Sequence, residues 1–119
     1  MDKEVSRSYL KSLTTEERAA LSKLKEDLER RFKERLVKLV VFGSKARDDF
    51  DEDSDLDIAI IIHSLTRREK NEILQVVAEI ELENLTPLST LVLSEDEFVQ
   101  LRNRERRIAM DIETEGIPL

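Results

Sequence analysis

Residues 56–62, LDIAIII, are apolar at every position but one, and they follow directly on the most acidic stretch of the chain. A short, largely β-branched run bounded by polar residues reads as a strand. A strand apolar on alternate positions hides one face; a strand apolar almost throughout is covered on both and sits centrally. Helices must therefore pack over a sheet, within 119 residues. That length makes one domain, taken as 1–119.

The flanking pattern supplies the other layers. Residues 14–35 read as a long helix, with Thr14 or Thr15 as N-cap and Glu16 and Glu17 in the first turn. Leu21, Leu24, Leu28 and Phe32 form its apolar stripe at three- and four-residue spacing. LVKLVVF (36–42) is a second buried strand, stopped by Gly43. Thr66 opens a helix to about Asn84 whose apolar face is Ile73, Val76, Val77 and Ile80. Pro87 precedes a third strand, 88–93, and Ser94 with Glu97 forms a capping box for a helical region running to about Glu115 and ended by Gly116. The order α-β-β-α-β-α predicts an α+β fold, an α/β sandwich in which a small mixed sheet is covered by helices.

Charge is concentrated in one place. The 27 acids include seven within 48–57, DDFDEDSDLD, so the remaining 20 match the 20 Lys and Arg. A net charge of −7 offers no basic excess to hold a phosphate backbone, and direct nucleic-acid binding is not expected. Charged residues at 39% with only five Asn and Gln are the composition of a heat-adapted protein. The absence of Cys excludes disulfides, thiol nucleophiles and Cys-based zinc sites. Without a leader-like start or an 18-residue apolar run, a cytoplasmic protein with no membrane span is expected.

Chemistry is concentrated in the same region. The first strand ends in Gly43-Ser44, and ten residues later come Asp55 and Asp57. Strand side chains alternate, so two carboxylates at i and i+2 project from one face. Held that close, they repel unless a cation lies between them, and Mg²⁺ takes carboxylate and phosphate oxygens. A glycine at a turn after a strand lets backbone N–H groups approach a phosphate, and the serine hydroxyl adds a donor. Lys45 and Arg47 follow at once. A phosphate-cradling turn beside a metal-binding acidic pair is what attack on a nucleoside triphosphate requires.

G-S, ten residues, then D-x-D resembles the nucleotidyltransferase superfamily of DNA polymerase β, and GSKAR followed by SDLDI is most similar to its minimal nucleotidyltransferases, the MNT domains. The resemblance implies the nucleotidyltransferase fold. It further implies transfer of AMP from ATP, with Asp55 and Asp57 as catalytic residues and ligands of Mg²⁺ (one ion or two), and Gly43, Ser44 and Arg47 as nucleotide-binding residues. Stand-alone members are commonly antitoxins paired with a HEPN-domain protein, in some systems adenylylating a tyrosine of the toxin. A HEPN-type partner and a protein hydroxyl as acceptor are therefore expected; homo-oligomerisation stays open. The alternative is a non-catalytic module of the same fold that neutralises its partner by contact. The sequence departs from the pattern at two places. Asp48 stands where a second glycine is usual, and LSTLVL (88–93) lacks the third carboxylate that competent members carry, with Ser89 or Thr90 in its place.

Other features read as structure. Asp48, Asp49, Asp51, Glu52 and Asp53 form a solvated loop. It is not a calcium loop, because the sixth and twelfth positions lack Gly and Glu. His63 reads as a strand-end residue rather than a general base. Arg102, Arg104, Arg106 and Arg107 read as an ion-paired helix face, with a protein partner as their other use.

Overall fold

A computed structural model describes residues 13–43 and 55–119. The elements are α1 (Thr15–Phe32), a 3-10 turn (Lys33–Arg35), β1 (Leu36–Phe42), β2 (Leu56–Ile62), α2 (Arg67–Asn84), β3 (Leu88–Ser94), α3 (Glu95–Asn103), α4 (Arg107–Glu115) and β4 (Ile117–Pro118). The sheet order is β3-β2-β1-β4, with β2 parallel to β3 and antiparallel to β1, and β4 antiparallel to β1. This is the mixed sheet and α+β class read from the sequence.

Three of the four helices among the described residues begin with the same device. Thr14, Thr66 and Ser94 each accept a hydrogen bond from the N–H three residues on, and Glu17, Glu69 and Glu97 accept in return from the cap's own N–H. Two of the first turn's unpaired donors are thereby satisfied at each start.

Strand alternation divides the core. On one face Leu56, Ile58, Ile60 and Ile62 of β2 pack with Leu24, Leu28 and Phe32 of α1 and Ile73, Val77 and Ile80 of α2. On the other, Val40, Ala59, Ile61 and Leu93 pack with Phe98 of α3 and Ala109 and Ile112 of α4. β2 is therefore buried on both sides, as its apolar run requires. Leu24 and Leu28 are fully enclosed, and truncating either to Ala costs ~2–5 kcal/mol.

Three boundaries differ from the sequence reading. The first helix ends at Phe32, where Lys33 takes φ 51 and the chain tightens into the 3-10 turn. The final helical region is two helices rather than one. α3 stops in a Schellman motif, with Glu105 at φ 53, its N–H donating to Arg102 O at 3.0 Å, and Arg106 N–H donating to Leu101 O at 2.9 Å. Glycine usually marks that position, and Glu105 carries no such mark. The third difference is β4: two residues, one of them proline, are too short to show a period. Gly116 joins α4 to it in a space where a Cβ would strike the Ile112 carbonyl oxygen.

Candidate active site

The N-terminal end of β2 meets the C-terminal end of β1. Phe42 pairs with Asp57 across the two strands, and Gly43 turns away immediately with φ 78. A side chain on Gly43 would be strained by that φ. It would also run into Asp57, its Cβ striking Oδ2 and lying 3.2 Å from Cγ. Glycine is needed twice over: for the turn, and to let the backbone lie against a carboxylate.

Asp57 is half-buried and Asp55, two residues before it, is exposed. Asp57 falls on the side of the sheet that carries Ala59 and Ile61, under α3 and α4, and away from the α1–α2 face, while Asp55 precedes the strand. The register also settles which β3 residue faces them. Ser89 pairs with Asp57, whereas Thr90 pairs with Ile58 and shares its parity on the opposite face. Adjacent strands lie ~4.8 Å apart, so the Ser89 position is the nearest on β3 to Asp57. A hydroxyl, exposed to solvent, stands there. Among the described residues no three Asp, Glu, His or Cys side chains gather into a metal-binding group.

The donor set fits a hard divalent cation in part. Two carboxylates two residues apart, one exposed, next to a backbone turn with no side chain, would supply oxygen ligands and leave room for phosphate oxygens to complete the shell. Ser44, Lys45, Arg47 and the acids at 48, 49 and 51–53 lie outside the described residues.

His63 is at the opposite end of β2, six residues or ~20 Å from Asp57 along the strand. Its Nδ1 lies 2.7 Å from Glu95 Oε1, and its N–H donates to Arg35 O at 2.8 Å. It does not serve this site. At the same end the Arg35 guanidinium grips Glu69 with two bonds of 2.7 and 2.8 Å and donates to the carbonyls of His63 and Ser64. The Arg35 hydrogen bonds, with the Thr66 N–H, pull the Glu69 carboxyl from its ordinary 4.5 down to about 2. Arg102 reaches Glu113 at 3.6 Å, joining α3 to α4, whereas Arg104 and Arg106 lie in the break between the two helices and not on the single helix face expected from the sequence. Asp96 lies in the first turn of α3, after the far end of β3, and so apart from the acidic pair.

Two concave surfaces among the described residues lie elsewhere. A groove between α1 and α2 is lined by Lys23, Asp27, Arg30, Arg31, Val76 and Glu83. Lys23 pairs with Glu83 across it, and Asp27 pairs with Arg30 and Arg31 along α1. A second follows β1 from Leu36 to Val40 beside Pro118 and Leu119. Neither includes Gly43, Asp55, Asp57 or Ser89.

Residues 21–116 match the nucleotidyltransferase domain family, and the chain belongs to it. Family membership supports a role in nucleotidyl transfer. Among curated proteins, it is similar to one of Methanocaldococcus jannaschii (strain ATCC 43067) named as a putative protein adenylyltransferase. The two are 33% identical over 63 residues, covering 52% of this chain and 64% of the relative, less than two thirds of that protein. Among solved structures, a crystal structure described as a putative nucleotidyltransferase from Sulfolobus solfataricus aligns over 90% of this chain and 87% of its own. It does so at 18% identity and a TM-score of 0.48. Among the described residues, no helix is long and apolar enough to cross a membrane.

Proposed function

We propose that the chain, acting as one domain over 1–119, transfers AMP from ATP to a hydroxyl of a protein partner. The observation that carries this is the packing of the Gly43 turn against Asp57, with Asp55 two residues before it. The likeness to a relative named for protein adenylylation supports the acceptor class. Asp55 and Asp57 hold Mg²⁺, which when bound offsets the charge of the triphosphate. Gly43 and Ser44 position the β- and γ-phosphates, and Arg47 supplements them. The acceptor oxygen bonds the α-phosphorus as pyrophosphate leaves with the bridging oxygen, and the hydroxyl proton passes to water. A HEPN-type toxin is the partner this reading takes, with the chain as its antitoxin in the cytoplasm of a heat-adapted cell.

A second reading is favoured by Ser89. With a hydroxyl opposite Asp57, no described carboxylate stands ready to take the acceptor's proton, and the fold then neutralises its partner by contact. Mixing wild type or Asp57→Asn with the partner, ATP and Mg²⁺ separates the two. Transfer predicts that the partner gains the mass of one AMP group per site, and that the variant loses both this addition and neutralisation. Neutralisation by the variant at the wild-type molar ratio, with no mass change in either mixture, leaves contact as the mechanism.

A further inference from the structure

On the face under α3 and α4, burial thins along three strands towards the same end of the sheet. In β2, Ile61 and Ala59 have no exposure, whereas Asp57 is half-buried. In β3, Leu93 is buried in the cluster around Phe98, Leu91 is half-buried and Ser89 is exposed. In β1, Val40 is buried and Phe42 half-buried. Among the described elements, the two helices thus cover one half of this face and not the other.

The uncovered half holds a single row. Phe42 pairs with Asp57, and Asp57 with Ser89, so the three stand side by side at steps of ~4.8 Å. Gly43 lies against the middle member. β3 is the outermost strand, and no described strand stands beyond Ser89. The neighbouring hydroxyls are directed elsewhere. Thr90 belongs to the opposite face with Ile58. Thr86 is buried and donates to Asn84 O at 3.0 Å. Ser94 caps α3 at the far end of the strand. Among the described residues of β3 and its flanks, Ser89 alone brings a hydroxyl to the row that holds Asp57.

We propose that Ser89 is itself an acceptor: given ATP and Mg²⁺, the chain adenylylates its own Ser89 hydroxyl. The proposal rests on the transfer reading above and names one protein hydroxyl within the reach of that site. Ser89 Oγ bonds the α-phosphorus, the bond from that phosphorus to the bridging oxygen breaks, pyrophosphate leaves with the electron pair, and the hydroxyl proton passes to water. The β2–β3 ladder holds this hydroxyl beside Asp57, so it reacts without an encounter. For well-placed groups that advantage reaches an effective concentration of ~10⁵ M or more, far above any partner in solution. The AMP group then lies over the row, which limits the reaction to one per chain.

The test takes the whole chain with ATP and Mg²⁺ and reads its intact mass, then locates the added group by fragmentation. The mass is expected to rise by one AMP group and no more, with that group on Ser89. The addition is expected to be lost in Ser89→Ala and in Asp57→Asn, and kept in Thr90→Ala. Ser89→Ala melts as the parent does, because the side chain is exposed. A reaction within one chain keeps the same rate constant from about 1 to about 100 µM protein, and Asp57→Asn mixed with wild type stays unlabelled. An AMP group on another residue, Ser44 and Ser54 included, overturns the proposal, as does its transfer to the Asp57→Asn chain. Calorimetry separates the two readings: Mg²⁺-dependent ATP binding with no added mass overturns the self-acceptor alone, and absence of that binding overturns the transfer reading with it.

Discussion

The two ends of β2 are built differently. At the C-terminal end Arg35 holds Glu69 and two carbonyls, and His63 Nδ1 lies against Glu95. At the N-terminal end Asp57 follows Asp55 by two residues, a glycine lies against Asp57, and Ser89 stands opposite it. Between the ends lie side chains with no exposure at all. One strand thus separates a stabilising end from the end proposed as reactive by ~20 Å, with a fully buried middle between them.

The largest expected effect breaks the reactive end alone. Asp55→Asn with Asp57→Asn removes a charge stabilisation of several kcal/mol, so nucleotidyl transfer falls ~10³-fold or more. Calorimetry shows ATP binding that no longer depends on Mg²⁺. The metal-free variant melts no lower than the parent, because a like-charge pair has been relieved. A clear fall in Tm would show that the pair is structural.

Ser89→Asp sharpens the comparison in the other direction. A carboxylate opposite Asp57 supplies a proton acceptor, and general-base help is worth ~10²-fold or more in transfer rate. The metal-free Tm falls as a third like charge joins the face. An unchanged rate with unchanged neutralisation favours the contact reading.

Gly43→Ala tests whether the turn and the carboxylate are one unit. Strain at positive φ and the collision with Asp57 together destabilise the fold by about 1–3 kcal/mol, and transfer is lost with it. Chemical denaturation measures the first and the mass assay the second.

The smallest effect lies at the stabilising end. The Glu69 carboxyl is held at about 2, below its unfolded value, so its contribution is complete above pH ~4.5 and is lost as pH falls towards 2. Glu69→Gln therefore lowers Tm by a few degrees at neutral pH, and the gap from wild type closes between pH ~4.5 and ~2, with transfer unchanged throughout. A gap independent of pH would mean that Glu69 acts through its capping role alone.

Much of this division was legible before any coordinates. The six apolar residues of 56–62 announced a strand covered twice, and the Thr and Ser caps with Glu three residues on placed three helix starts. Gly43, Asp55 and Asp57 stood out through their match to the family's spacing, and the structure brings Gly43 against Asp57. The register did not stand out: only the pairing of β2 with β3 selects Ser89 over Thr90, because adjacent residues in a strand differ by a face and not by a sequence signal. The Arg35–Glu69 grip joins residues 34 apart, and nothing local distinguishes that arginine from the chain's others. The break after α3 was hidden because Glu105 adopts a conformation that glycine normally advertises.

The order in which the sheet's strands meet has a kinetic consequence. β1 and β2 pair over separations as short as Phe42 to Asp57, whereas β2 and β3 join residues 32 apart in register, from Leu56 and Leu88 onward. The most local strand pairing, and on contact-order grounds the earliest, therefore closes across the stretch that holds seven acids. Bringing its ends together crowds like charges before any core is formed to oppose them. Refolding should accelerate as ionic strength rises and that repulsion is screened, while unfolding, which begins from the packed core, changes little. The acidic run would then set how fast the fold is reached, whatever it does once the fold is formed.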